Sequence, residues 1–286
     1  MQSVSLSDKT YPRLLSKIKN PPETLYYLGD WDQKIFENCL AVVGTRKITD
    51  YGREMVDRLV LPLASAGVTI VSGFMYGVDA SAHWACLDSG GRTIAILGCG
   101  IDLIRPTIHR DLHQRILQNK GLVISEYQGD HPSFRWTFVR RNRIVSGISK
   151  AVLVVEAGEK SGALITAACA LEQKRKVLVV PGPVTSSVSR GNFELLKLGA
   201  TPVSSAEEIL LEMGISCVKS KILTRTKPDN LTIEEQAIFK LLADQRLTID
   251  ELARQSAKSS AEIGSCLSMM LMKRLVQERG GKYFVN

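Results

Sequence analysis

The sequence predicts an α/β protein: an open, doubly wound, mostly parallel sheet followed by a small C-terminal winged-helix domain. Three observations carry that expectation. Between Cys39 and Val180, six short runs (CLAVVG, VTIVSG, RTIAILG, LVISEY, KAVLVVEA and KVLVVPG) are β-branched and almost wholly apolar, as strands covered on both faces must be. Segments of helical period lie between them, and this alternation leads to parallel strands with helices on both faces. The C-terminal part has three helical stretches and ends on the hairpin-like LVQERGGKYFVN, which reads as three helices and a wing.

Taken in order, residues 1–38 read as a lead-in packed on the sheet domain, which is drawn over residues 39–214. In DYGREMVDRLVLPLASAG, Asp50 is placed to cap a helix, Gly67 to end it, and Pro62 to kink or divide it. TPVSSAEEILLEMG adds one more strand and helix near the end of the domain. CVKSKILTRTKPDN is polar, basic and aperiodic, so residues 215–228 read as a linker. In the winged-helix domain, residues 229–286, Thr248 and Glu251 stand at capping-box spacing. A plain three-helix dimerisation appendage is the alternative there.

Composition narrows the function. No apolar run approaches the roughly 18 residues of a membrane span, so no membrane partner is expected. The N-terminal stretch lacks the apolar core of a signal peptide, which points to the cytoplasm. Six cysteines are scattered with no C-x-x-C pair, which reads as reduced thiols rather than disulfides or a zinc site. Neither a metal nor a cofactor is expected. The net charge of +8 favours a polyanionic partner only if the basic residues converge.

A doubly wound sheet binds ligands at the loops that follow its strands. After the first apolar run, Gly44 allows a tight turn, Thr45 offers a hydroxyl and Arg46 faces a ligand; G-x-G-x-x-G is missing, which weighs against a dinucleotide. After the second, Ser72, Gly73 and Gly77 can bring backbone N–H groups to a helix N-terminus. Asp79 and His83 would share a helix face and read as a cap and a satisfied histidine rather than an acid–base pair. His109 and His113 have metal-ligand spacing, but with no third ligand nearby they read as a solvated face. Ser161 and Gly162 open a helix of small residues, a start suited to a phosphate.

The stretch FRWTFVRRNR, residues 134–143, holds four arginines and three aromatics without an acid. A helix from Thr137 to about Ser149 would put Phe138, Arg141, Val145 and Ile148 on one side, with Arg140 and Arg143 pointing away. A guanidinium on an apolar face needs a carboxylate or a bound anion. For Arg141, a salt bridge to Glu126 or Glu156 and a ligand role both stand. Arg135, Trp136 and Phe138 lie where a cation could meet phosphate and a ring could stack a base.

With VVGTR, SGFMYGVDASAH, GRTIAILGCGID, ISEY, FVRRNRIVSG, EAGEKSGALITAACALE and VPGPVTSSVSRGNFELLKLGA in the same order, the chain resembles the DprA/Smf family of DNA-processing proteins from about Tyr11 to Ala200. The resemblance implies an extended Rossmann-like fold whose positively charged pocket binds single-stranded DNA without catalysis. It also implies protection of incoming strands in natural transformation, loading of RecA recombinase, homodimers and a C-terminal winged helix, through which duplex DNA would be a further partner. Arg46, Arg135, Phe138, Arg141, Asn142, Arg143, Ser161 and Gly162 take the family's binding positions. The sequence departs from the pattern at Met75 and Tyr76, where Ala-Arg is usual, at Val139, where Pro is usual, and at Phe193.

Two other functions compete. Phosphoribohydrolases of the lysine-decarboxylase-like (LOG) type share a similar fold, but EAGEKSGALITA lacks their P-G-G start and has Thr166 where they place a glutamate. A transcription regulator reading duplex DNA would need a basic recognition helix, and SSAEIGSCLSMMLMKRLV is basic only near its end.

Overall fold

The chain starts with an antiparallel pair, β1 (Gln2–Ser5) and β2 (Thr24–Gly29), inside the stretch expected only as a lead-in. The six apolar runs then form β3 (Cys39–Val43), β4 (Thr69–Ser72), β5 (Thr93–Ile96), β6 (Leu122–Ser125), β7 (Ala151–Val154) and β8 (Lys176–Val179), followed by the short β9 (Thr201–Pro202). Between the strands run α1 (Asp50–Ser65), α2 (Val78–Asp88), α3 (Arg110–Gln118), α4 (Arg135–Ile148), α5 (Gly162–Glu172), α6 (Arg190–Lys197) and α7 (Ala206–Glu212). The computed structural model describes residues 2–215, 231–245, 247–273 and 275–285. The chain divides into two units, Met1–Ile222 and Leu223–Asn286. Nearly all of the expected linker, with Cys217, lies outside the described residues.

Among the described residues the main sheet has nine strands in the order β1-β2-β6-β5-β4-β3-β7-β8-β9. β1 pairs antiparallel with β2 and β2 with β6; the remaining pairings are parallel. The chain winds outward from β3 in both directions, so the switch point lies between β3 and β7, and a crevice opens beyond their carboxyl ends. Alternation along β3 divides the core. Ala41 and Val43 belong to the layer of Ile144, Val145 and Ile148 from α4, whereas Leu40 and Val42 face Val56, Leu59 and Leu63 from α1.

Two local expectations change at α1. Thr49, not Asp50, is the cap: its backbone is extended and its hydroxyl accepts from Gly52 N at 3.1 Å, which leaves Asp50 as the first helical residue, beside Arg53. Pro62 neither stops nor divides the helix, because it lies in the last turn, where the lost N–H removes a single bond. Gly67 ends it as expected, with φ +84°.

The second unit contains α8 (Ile233–Asp244), α9 (Ile249–Ser256), α10 (Ser260–Met272) and the antiparallel pair β10 (Val276–Arg279) and β11 (Lys282–Val285). Its core is Ile238, Leu242, Leu252, Ile263, Leu267 and Met270. The capping box is present: Glu251 N donates to Thr248 Oγ1 at 3.2 Å and Thr248 N to Glu251 Oε2 at 2.8 Å. Thr248→Ala is expected to destabilise this unit by about 1 kcal/mol. An unchanged urea midpoint for its unfolding would show that the box does not hold in solution. Among the described residues, no helix is long and apolar enough to cross a membrane.

Candidate nucleic-acid interface

The crevice is built by close backbone approach of three loops. Thr45 N donates to Glu156 O at 2.7 Å, tying the loop after β3 to the end of β7, and Val78 N donates to Thr45 O at 3.1 Å, tying it to α2. Gly77 makes the second tie possible. It sits at φ +73°, and a Cβ there would run into the Thr45 carbonyl oxygen. With its backbone held on both sides, the loop presents Arg46 to solvent. The Arg46 guanidinium carbon lies 5.8 Å from the centroid of the half-buried Phe138 ring, within cation–π range.

Phe138 is placed by the start of α4. One edge of its ring lies against Gly98, where a Cβ would come within 2.6 Å of Cδ1. Thr137 Oγ1 accepts from Phe134 N at 3.0 Å and sits within hydrogen-bond reach of Gly98 O. α4 begins at Arg135, two residues before the expected Thr137, and Arg135 is exposed with no hydrogen-bond or ion-pair partner among the described residues.

The R-N-R element is a clamp. Arg141 is 4% exposed, and its Nη1 donates to the carbonyl oxygens of Gly73 and Ile96, fastening α4 to the ends of β4 and β5. Neither carboxylate expected to pair with it does so. Glu156 accepts from Thr49 N at 3.0 Å and from the Thr49 hydroxyl, whereas Glu126 accepts from Arg140 at 3.1 Å and from Arg143. The charge facing Arg141 is Asp79, packed beside it over Gly73. Burial lowers the Arg141 pKa to about 10 against the pull of Asp79, and burial raises the Asp79 carboxyl against the pull of Arg141. Asn142 accepts from Arg141 Nε at 3.2 Å and donates to Gly162 O at 3.4 Å, which links α4 to α5. Arg143 was expected to point into solvent, but its side chain is only 15% exposed because Glu126, from the loop after β6, lies across it.

The loop after β4 holds the other surprises. Ser72 is fully buried and donates to Val42 O at 2.6 Å. Gly73 is buried under Arg141 and Asp79, so neither residue reaches the surface. Asp79 does not cap α2, whose N-cap is Gly77 with no side-chain bond; it accepts from Met75 N at 3.2 Å, holding the turn ahead of the helix, and does not bond His83, which meets Thr93 Oγ1 at 2.7 Å instead. His109 and His113 are buried, not solvated. Together with His83 they surround Phe74, at centroid distances of 5.3, 6.3 and 6.1 Å. Phe74 draws them inward, and imidazole hydropathy gives no periodic warning of it. Among the described residues, no group of three or more His, Cys, Asp or Glu could hold a metal ion.

Ser161 caps α5, accepting from Ala163 N at 3.3 Å, and Gly162 is exposed with open space where a Cβ would stand. The structure therefore brings Arg46, Gly77 and Phe138 together, and joins Asn142 to Gly162. It turns Ser72, Gly73, Arg141 and Arg143 to internal work. Two exposed cations on the same loops, Lys47 and Lys160, were not singled out from sequence; a lone loop lysine carries no pattern.

The sequence pattern that defines the DNA recombination-mediator protein A family matches residues 2–214, and that of the DprA winged-helix domain matches residues 224–282. Protein Smf of Synechocystis is 42% identical over 216 residues, 74% of this chain and 54% of the relative. Protein Smf of Escherichia coli is 42% identical over 207 residues, 72% and 55%, so the chain spans about half the length of these two relatives. The X-ray structure of DNA processing protein A from Streptococcus pneumoniae superposes with a TM-score of 0.70 at 36% identity, covering 74% of each chain. DNA processing protein A from Helicobacter pylori, whose structure concerns its single-stranded DNA binding mode, superposes at 0.65 and 32% identity, over 74% of this chain and 95% of that one. The chain belongs to the DNA recombination-mediator protein A family, the DprA/Smf proteins.

Proposed function

We propose that the chain binds single-stranded DNA, without catalysing a reaction, in the crevice at the carboxyl ends of β3, β5 and β7. The observation that carries this reading is the Arg46–Phe138 pair: an exposed guanidinium beside a half-buried ring, able to meet a phosphate and an adjacent base. Arg135 and the backbone at Gly77 and Ser161–Gly162 extend the phosphate contacts. Ser72, Gly73, Arg141, Asn142 and Arg143 hold the crevice in shape. The H. pylori relative, described for its single-stranded DNA binding mode, supports the ligand class. Against chemistry, the buried carboxylates of Glu156 and Asp79 are occupied by Thr49 and by Met75 N. A cytoplasmic protein, acting as a homodimer that protects incoming strands and loads RecA, completes the proposal from the family resemblance. The winged-helix unit offers duplex DNA little: residues 260–272 carry no Lys or Arg, and Lys258 and Lys273 are paired with Glu234 and Glu235.

Fluorescence anisotropy with labelled oligonucleotides, competed by single- and double-stranded DNA at several salt concentrations, tests this. Single strands are expected to compete better than duplex and with little sequence preference. Log K should fall linearly with log salt, and Arg46→Ala should reduce that slope by about 0.7, one phosphate's share. Absence of binding at low salt, or steady release of adenine from AMP, overturns the proposal.

A further inference from the structure

We propose that Phe134 and Trp136, backed by Tyr127 and His131, form a base-stacking platform that takes nucleobases of a single strand beyond the Arg46–Phe138 pair. This rests on single-stranded DNA being the ligand and adds a second place where the strand is held. Phe134 and Trp136 are 47% and 52% exposed, large rings that chains ordinarily cover. Their planes are only 5° from parallel, with centroids 6.0 Å apart, so the two exposed rings share one orientation.

The rings are fixed rather than dangling. Phe134 precedes α4, its N–H held by Thr137 Oγ1 at 3.0 Å. Trp136 meets Tyr127 edge-on at 6.1 Å and His131 at 6.5 Å, while Tyr127 stacks on His131 at 4.6 Å and 16°. A platform held in place before the ligand arrives loses little conformational freedom on binding.

Charge favours a nucleobase as the occupant over an apolar peptide. Arg135, between the two rings in sequence, is exposed and placed to meet the phosphate of a stacked nucleotide, and the exposed Arg140 follows. Glu126 is engaged by Arg140 and Arg143; Asp130 is the acidic exception on the adjoining loop. Phe138 lies one helical turn beyond Phe134, so a strand leaving the Arg46–Phe138 pair along the start of α4 reaches the platform directly. Every base has a π-face, so such a platform adds affinity without reading sequence.

The test compares wild type with Phe134→Ala/Trp136→Ala on an oligothymidylate and on an abasic oligonucleotide of equal length. The double variant is expected to bind the thymidylate about 5- to 100-fold more weakly. Its salt slope should be unchanged, because no phosphate contact is lost, and its affinity for the abasic strand should equal that of wild type. In a Trp31→Phe/Trp84→Phe background Trp136 is the sole tryptophan, and its fluorescence should be quenched by the thymidylate and not by the abasic strand. This readout leaves the platform intact. If wild type binds the thymidylate but the double variant binds equally well, or weakens equally on the abasic strand, the platform is overturned and DNA binding stands. An absence of quenching on binding also overturns it. If wild type binds no single strand at all, platform and DNA reading fall together.

Discussion

Arg141→Met is expected to destabilise the sheet domain by about 3–5 kcal/mol, the loss typical when one partner of a buried charge pair is removed. Methionine fills much of the aliphatic volume but cannot donate. The carbonyls of Gly73 and Ile96 would both lose the Nη1 donor that joins β4 and β5 to α4, and buried acceptors left unmade cost about 1–3 kcal/mol each. Asp79 would lose the guanidinium that offsets its burial and would bind a proton more readily. Asp79→Asn in the same chain should recover part of the loss, because the uncompensated charge is then gone. Arg141→Lys should fall between, since an ammonium keeps the charge but lacks the Nε donor that meets Asn142. Urea unfolding reads all four proteins. A loss below about 1 kcal/mol for Arg141→Met would mean that the guanidinium is not buried in solution. The same series separates brace from ligand: if Arg141 touches no phosphate, the folded Arg141→Met/Asp79→Asn protein retains the wild-type salt slope for DNA, whereas Arg46→Ala does not.

How far the sequence reached depends on which physical signal each feature leaves. β3 to β8 were legible because a parallel strand covered on both faces must be apolar throughout. β1 and β2 were not: QSVS and TLYYLG are only partly buried, and what defines them is antiparallel backbone pairing, which leaves no side-chain pattern. Helical periodicity placed Arg141 on the packed side of α4 correctly. It could not say what meets each arginine, because Asp79, in the first turn of α2, and Glu126, in the loop after β6, are distant in sequence. The outward reading of Arg143 failed for that reason: direction from the helix axis was right to assign, but the loop after β6 lies there. The glycine-rich strand ends were legible as places of close approach. At Gly73 and Gly98 that approach is by a side chain of the protein itself, Arg141 and Phe138, rather than by a ligand.

Acidification should weaken the fold through the histidines around Phe74, beginning below pH 6.5. Thr93 Oγ1 donates to Ile70 O at 2.7 Å, so its single proton is committed and it can only accept from His83. His83 is therefore protonated on Nδ1, and its Nε2, buried and without a partner, has nowhere to place a second proton. His109 donates Nδ1–H to Phe74 O at 3.2 Å, and His113 Nε2 is also buried without a partner. Burial lowers the pKa of all three, that of His83 to about 3, with the positive charges of His109 and Arg141 adding to the effect; Asp79 opposes it at His109. A base whose folded pKa is depressed binds more protons when unfolded. Stability is therefore complete above the unfolded value near 6.5 and is lost as pH falls from there toward 3. His83 alone should account for about 3 kcal/mol of loss by pH 4, at about 1.4 kcal/mol per pH unit. Because carboxylates also titrate in acid, the decisive quantity is a difference in slope. His83→Asn, whose amide can still donate to Thr93, should flatten the dependence of unfolding free energy on pH by about 1.4 kcal/mol per unit between pH 6 and 4.5. Equal slopes for the variant and wild type would show that His83 already carries its proton in the folded protein. The loop consequence follows from position. Phe74 sits in the turn after β4, held through its carbonyl by His109 and followed three residues later by Gly77, so the segment that acid loosens is the one against which the Arg46 loop is packed.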